Sequence, residues 1–539
     1  MPLPDGSFLL IVLWAFAVFI LWNLYRFSET FRKTTLVFAM GLATAALAGG
    51  IFYLHFHRQN AGREKRPGLL IFPAVEKSAS LAINADGLAI AEITGEHLRR
   101  TPNTPFYLIP TETIFAAARR DSLIYIEYVL RFARAAGLPM IGFCTYRKTA
   151  APANHHESWS IDFRIFDWRE KNTLAETPLN LPERFNDLQE LTTEAARVIL
   201  QTFAKNGATI AGTAWQNQVE PKLSQSYYAA KFSLLINQTE SALQQARALA
   251  QVDTSRAQFA GLYVNALLTH LRRRAAQQTD WNDSLRAILP AAKRAVSDSL
   301  NSAGGRGLGE IYIRLKKWND AERALRLARR RDSTDSEIYL LLAQLHHSRL
   351  QPLGFENELE LYQRARALNP LNIAAGLAEA DYHWRENRDN PAVEILEHLL
   401  RLNPDQVEVL MSRARIYMAQ NNAPKTFELS ERILKLAPDH AEAYYNLGIV
   451  YYHQQDFDKA INFFERAIKL NDHADARLYL ASIYERRGDL DLAIHYLRER
   501  IRRSRGDDDK YAADARDQLY KILLARGEIP AHLRPDSLK

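Results

Sequence analysis

The sequence predicts an α+β multidomain chain: two transmembrane helices, a small α/β domain, and an all-α superhelical solenoid. Three observations predict it. A phrase of small and aromatic residues recurs every 33 or 34 positions through the C-terminal half, short apolar runs alternate with amphipathic ones before it, and two long apolar runs stand near the N-terminus. At 539 residues the chain exceeds what one core accommodates. The patterns divide it into 1–66 (two spans and connector), 67–215 (α/β), 224–301 (divergent helical repeats), 302–505 (regular array) and 506–539 (capping helix and tail).

Phe8 to Tyr25 is apolar apart from Asn23, and Leu36 to Phe56 is apolar apart from Thr44 and His55. Each run is long enough to cross a hydrocarbon layer, which takes roughly 20 helical residues. The leader Met1-Pro2-Leu3-Pro4-Asp5 has no basic residue, unlike a secretory signal. Gly41, Ala45 and Gly49 lie four apart, a face on which a second helix can approach closely and an oligomer can form. Basic residues Arg26, Arg32 and Lys33 in the connector nearly balance Arg58, Arg63, Lys65 and Arg66 beyond the second run, so the side of the soluble parts stays open.

From Gly68 the period changes. Leu69-Leu70-Ile71-Phe72-Pro73 reads as a buried strand stopped by proline, and Ala85 to Leu98 as an amphipathic helix. Phe106 to Ile109 is the next strand, Ile124 to Ala136 a helix stopped at Gly137, and Met140 to Tyr146 another strand. Trp159, Ile161, Phe163 and Ile165 alternate with polar neighbours, as a strand with one wet face requires. Thr173-Leu174-Ala175 pairs with it across a turn, and Leu188 to Phe203 is a closing helix. Asp86-Gly87 suits a helix start, the carboxylate facing unpaired backbone N–H groups. This order, with Ala85-Asp86-Gly87-Leu88, Ala136-Gly137-Leu138 and Arg164-Ile165-Phe166-Asp167, resembles the TolB amino-terminal-like domain. The turn after Asp167 lacks the glycine usual in those relatives. The resemblance implies a small assembly or sensing module ahead of a helical array in a bacterial envelope protein, and an integral location in the cytoplasmic (inner) membrane.

In the array, one unit runs from Ala441 to His473 and carries Tyr444, Leu447, Gly448, Tyr451, Ala460, Phe464 and Ala467. The unit from Val407 places Leu410, Ala414, Tyr417, Ile433 and Pro438 at matching offsets, and the unit from Ile373 ends on Pro404. Upstream, Leu308, Gly309, Tyr312, Trp318 and Ala321 fit the same frame. Small residues let two antiparallel helices approach, large ones fill the flanks, and proline stops the second helix. This resembles the tetratricopeptide repeat family, whose helix pairs stack because no pair buries its apolar face alone. The unit at Ser336 reaches Pro370 three residues late, which places an insertion at Gln351-Pro352-Leu353-Gly354. Ala512 to Leu524 is expected to cap the last apolar face.

Nothing in the chain assembles a reaction, so no catalytic, metal or cofactor residue is assigned and the protein is not expected to be an enzyme. Phosphate-cradling Gly-x-x-x-x-Gly-Lys is absent, and Gly305-Arg306-Gly307-Leu308-Gly309 sits in a repeat helix with no strand before it. His155-His156 and His346-His347 are adjacent, so their side chains diverge. The single Cys144 lies in an apolar run and reads as an inert buried thiol. A net charge of +7 is dispersed over helix faces, and no nucleic-acid partner is expected.

The family resemblance implies a concave face formed by the first helix of each pair. On it fall Arg306, Arg314, Leu377, Asp381, Trp384, Arg385, Met411, Arg415, Tyr445, Tyr452 and Arg486. Aromatic, methionine and arginine side chains are enriched where proteins meet, and arginine suits carboxylates. The lysine and asparagine set with which some relatives clamp a peptide C-terminus is not reproduced. The expected function is a membrane-anchored scaffold recruiting protein or peptide partners. The alternative is a sensor whose α/β module binds a ligand and relays it to the array.

Overall fold

The computed structural model describes residues 66–77, 81–101, 104–118, 123–149, 158–168, 175–185, 187–203, 220–274, 281–297, 302–504, 506 and 508–528. Residues 66–539 form one compact unit, separate from 1–65.

A seven-stranded mixed sheet is built around the long strand β5 (Met140–Thr149). Strands β1 (Gly68–Ile71) and β2 (Val75–Lys77) follow one line along its parallel edge, Leu70 facing Ile141 and Val75 facing Thr145. The interruption falls at Phe72-Pro73-Ala74, where proline has no N–H to give a ladder. Strand β3 (Leu81–Ile83) pairs antiparallel with β2, and β4 (Tyr107–Ile109) pairs parallel with β1. On the other edge, β6 (Ser158–Asp167) runs antiparallel to β5 over ten residue pairs, and β7 (Ala175–Pro178) pairs with β6. Both sheet faces are covered. Leu69 and Ile71 point to the face occupied by α4 (Leu188–Phe203) with Leu191 and Ile199. Leu70 and Phe72 point to the other, with Val129 and Phe132 of α3 (Ile126–Ala135). Alternation of successive side chains makes this two-sided core.

Sequence reasoning missed β2, β3 and the one-turn helix α2 (Ile114–Ala117). Each has three or four residues, too short to establish a period. The start of α1 (Ala85–Arg100) also differs from expectation. Asn84, not Asp86, is the N-cap: its Oδ1 accepts from Gly87 N at 2.9 Å and from the Tyr146 hydroxyl at 2.8 Å. Asp86 lies too far into the helix to cap and instead pairs with Lys148 at 3.4 Å. Thr173 and Leu174 of the expected hairpin lie outside the described residues.

Cys144 is fully buried between sheet and α4, and burial pushes its thiol pKa well above the ordinary value. The expected result is that a thiol-specific disulfide reagent at pH 8 leaves the native protein unmodified and reacts once per chain in denaturant. Rapid reaction of the folded chain would contradict the buried placement.

Beyond the sheet the chain is helical, in antiparallel pairs: α5 (Pro221–Leu235) with α6 (Thr239–Val252), α7 (Ala257–Arg274) with α8 (Asn282–Ala295), and α9 (Ala303–Arg314) with α10 (Trp318–Arg331). Then come α11 (Ser336–Leu342) with α12 (Glu358–Leu368), α13 (Ile373–Arg385) with α14 (Asp389–Leu402), and α15 (Val407–Ala419) with α16 (Ala423–Leu436). The series ends with α17 (Ala441–His453) and α18 (Phe457–Asn471), α19 (Ala474–Arg486) and α20 (Leu490–Arg502), and a single α21 (Lys510–Ala525). A Cβ at Gly448 would lie 2.5 Å from the Phe464 ring, which shows how closely α17 and α18 approach. Two short 3₁₀ turns, His347–Arg349 and Gln351–Leu353, occupy the insertion between α11 and α12, closed by Gly354 at φ +89°.

One part of the expected fold class is overturned. No helix among the described residues is long and apolar enough to cross a membrane. The longest, α7, has 18 residues and ends on Arg272-Arg273-Arg274. The described helices are amphipathic and bury their apolar stripes on one another. The expected spans at 8–25 and 36–56, with the Gly41, Ala45 and Gly49 face, lie outside the described residues. The architecture is therefore a mostly helical solenoid carrying a mixed-sheet module, and the two transmembrane helices and integral-membrane location lose their support.

Candidate protein-binding groove

The first helices of successive pairs line up side by side, and their N-caps are linked. Asn372, the N-cap of α13, accepts from Ala375 N at 3.0 Å and donates Nδ2 to Glu337 of α11 at 2.9 Å. His473, the N-cap of α19, accepts from Ala476 N through Nδ1 at 3.3 Å and places Nε2 3.0 Å from Glu442 of α17. That contact, ahead of the other causes, holds the Glu442 carboxyl below its usual pKa. His440, the N-cap of α17, likewise accepts from Ala443 N through Nδ1 at 3.3 Å. An accepting ring nitrogen is unprotonated, so the neutral imidazole carries its proton on Nε2.

Between α13, α15 and that histidine lies an open cavity of about 390 Å³. Leu377, Ala378 and Met411 supply its apolar wall; Asp381, Glu408, Ser412, Arg415 and His440 supply polar groups. A narrow crevice continues from it past Trp384, Ala380, Leu396 and Ile416, sharing Asp381, Ser412 and Arg415. The two acids are engaged by neighbours: Arg385 Nε donates to Asp381 at 3.0 Å, and Gln406 Nε2 donates to Glu408 at 3.0 Å. Among the described residues, exposed Arg415 donates only to the neutral Ser412 hydroxyl, at 3.1 Å, with the Glu442 charge also in range. The groove therefore offers a guanidinium and an imidazole N–H beside an apolar wall. Such a set takes up a carboxylate next to an apolar side chain.

Of the residues expected on the concave face, the structure brings Leu377, Asp381, Trp384, Met411 and Arg415 together here, with Arg385 alongside through Asp381. Others have internal partners. Arg306 reaches Asp335, the N-cap of α11, at 2.9 Å, and Arg314 pairs with Glu310 at 3.0 Å while lying over Trp281 at 5.0 Å. Tyr445 is 8% exposed and stacks on His473 at 4.2 Å. Tyr452 meets Tyr479 edge-on at 5.2 Å and lies under the Arg486 guanidinium at 5.4 Å. Leu308, Gly309, Ala321, Leu447, Gly448, Tyr451, Ala460 and Phe464 lie in the paired helices α9/α10 and α17/α18, and Pro404 and Pro438 follow the ends of α14 and α16. Ser412, Glu408 and His440 escaped sequence reasoning. The histidines at 440 and 473, one period apart and each just before a repeat helix, were the signal for the last.

The sequence model of the tetratricopeptide repeat matches residues 441–473, which are α17, α18 and their flanking turns. Residues 441–473 are therefore a tetratricopeptide repeat. The chain is similar to a chain in the APC/C hetero-tetramer Cut9-Hcn1 at 15% identity and TM-score 0.42, covering 62% of this chain and 59% of that one. It is similar to yeast Tom70 at 14% identity and TM-score 0.39, covering 59% and 66%. It is also similar to human IFIT1, solved as a dimer with PPP-AAAA, at 14% identity and TM-score 0.40, covering 62% and 76%. The chain thus spans less than two thirds of the length of the first two. No curated protein matches the sequence.

Proposed function

We propose that the protein is a non-catalytic interaction scaffold, and that the groove between α13, α15 and the start of α17 takes a protein segment pairing an acidic side chain with an apolar one. The observation that carries this is Arg415, a charged, exposed side chain whose partner among the described residues is the Ser412 hydroxyl, at the mouth of a 390 Å³ cavity. That volume lies within the range of roughly 300–1,000 Å³ typical of ligand sites. Leu377, Ala378 and Met411 receive the apolar side chain; Arg415 and His440 receive the carboxylate. In this reading 302–505 is the recruiting array, 224–301 joins it to an α/β assembly module of TolB amino-terminal-like kind over 67–215, and 506–539 caps the end.

The test is a peptide array in which acidic-plus-apolar segments are compared with charge-reversed copies. Binding is expected to the acidic set, with Arg415→Glu weakening it tenfold or more, as loss of about 1.4 kcal/mol would. Met411→Ala is expected to weaken it about as much, and Arg306→Ala to leave affinity unchanged where the chain stays folded. No bound segment, or affinity indifferent to Arg415→Glu, would sink the proposal.

A further inference from the structure

The α/β module touches the array at two places far apart along it. At the near end, Phe232 of α5 meets Phe115 edge-on at 6.2 Å, and Lys231 Nζ lies 2.7 Å from Glu92 Oε2. Both ends of that ion pair are largely shielded, at 16% and 9% exposure. At the far end, the Tyr107 hydroxyl on β4 donates to the Leu368 carbonyl at 2.9 Å. That carbonyl closes α12 and has no partner within its own helix. At the same end α14 packs against α3, which brings His398 next to the Ala135 backbone. Apolar residues of module and array form one continuous core across this junction.

Between the two contacts run α6 to α11. A solenoid whose units touch only their neighbours flexes by summing small rotations at each junction. A rigid body tied at both ends of such a stretch removes that freedom, because the stretch can no longer lengthen without breaking one tie. We propose that the α/β module is an internal brace that holds the span from α5 to α14 at one length and curvature. The groove formed by α13 and α15 stands where the braced stretch gives way to the free one. This inference rests on the ties alone and is independent of what the groove binds.

The experiment uses the full chain with Gln244→Cys on α6 and Glu394→Cys on α14, both exposed, spin-labelled for distance measurement. Cys144, fully buried, stays unlabelled. Tyr107→Phe with His398→Ala weakens the far tie by removing its polar contacts while keeping the ring and the helix. Amide exchange over Val129–Ala135 reports undocking. Exchange there is expected to rise roughly tenfold and the distance distribution to at least double in width, with helicity retained. Phe232→Ala at the near end is expected to broaden it in the same way. An unchanged distribution with raised exchange would show that the module is carried by the array without bracing it. Unchanged exchange would show that these ties do not hold it. Either result overturns the proposal.

Discussion

Gly87→Ala is expected to cost about 3 kcal/mol or more of stability in the α/β module, at the upper end of what overpacking does. A Cβ at position 87 would sit 2.0 Å from the Ala74 carbonyl oxygen and 3.1 Å from its carbon. The neighbour is backbone, so no rotamer change relieves it. Nor can the helix back away cheaply. Ala74 N donates to the Gly87 carbonyl at 2.9 Å, and Asn84, which caps the helix, is bound to Tyr146 and to Glu76 at 2.8 Å each. Shifting α1 enough to admit a methyl group breaks this set together. Asn84→Ala, which removes a cap without adding bulk, is expected to cost only about 1 kcal/mol. Urea unfolding followed by amide exchange over α1 distinguishes them: two equal midpoint shifts would contradict the close approach.

Arg500→Met is expected to release the C-terminal helix. Arg500 has no exposed surface, and its Nη2 lies 2.8 Å from Asp475 on α19 and 2.7 Å from Asp509, the N-cap of α21. Those carboxylates are themselves 13% and 5% exposed. Removing the cation leaves two shielded anions facing each other, and breaking a buried ion pair in this way costs about 3–5 kcal/mol. The damage falls first on α21, which among the described residues packs on the preceding pair alone. Amide exchange over 512–525 is expected to rise well before that of α17, and Arg500→Lys to recover only part of the protection because one ammonium cannot span both acids in the same geometry. Adding Asp475→Asn to Arg500→Met is expected to restore some stability. Loss of protection spread evenly over the array would refute this local role.

Arg500 illustrates why the candidate site was only half legible. Arginines at helix positions all look alike in sequence, yet the fold gives them different work. Arg500 is a buried tie, Arg306 holds the next repeat through Asp335, and Arg415 faces the groove with a hydroxyl as its hydrogen-bond partner. The difference lies in whether an acid from the following repeat comes within hydrogen-bonding distance, which repeat offsets alone do not encode. His440 is the converse: a residue outside the helix frame that the turn swings into the cavity wall.

The sequence by itself determined the helix pairs and most of the strands. Gly448 and Phe464 mark the close approach of α17 to α18, and the apolar periods mark α1 and α3 to within two residues at either end. Such elements are legible because each repeat packs on its chain neighbours, so its requirements recur at a fixed local spacing. Only the tertiary structure decided that the module is tied back onto the array and that five of the expected concave residues line one groove. The tie from Tyr107 to Leu368 spans 261 residues of sequence. A contact of that range depends on the accumulated curvature of every unit between, and leaves no period for a sequence to show.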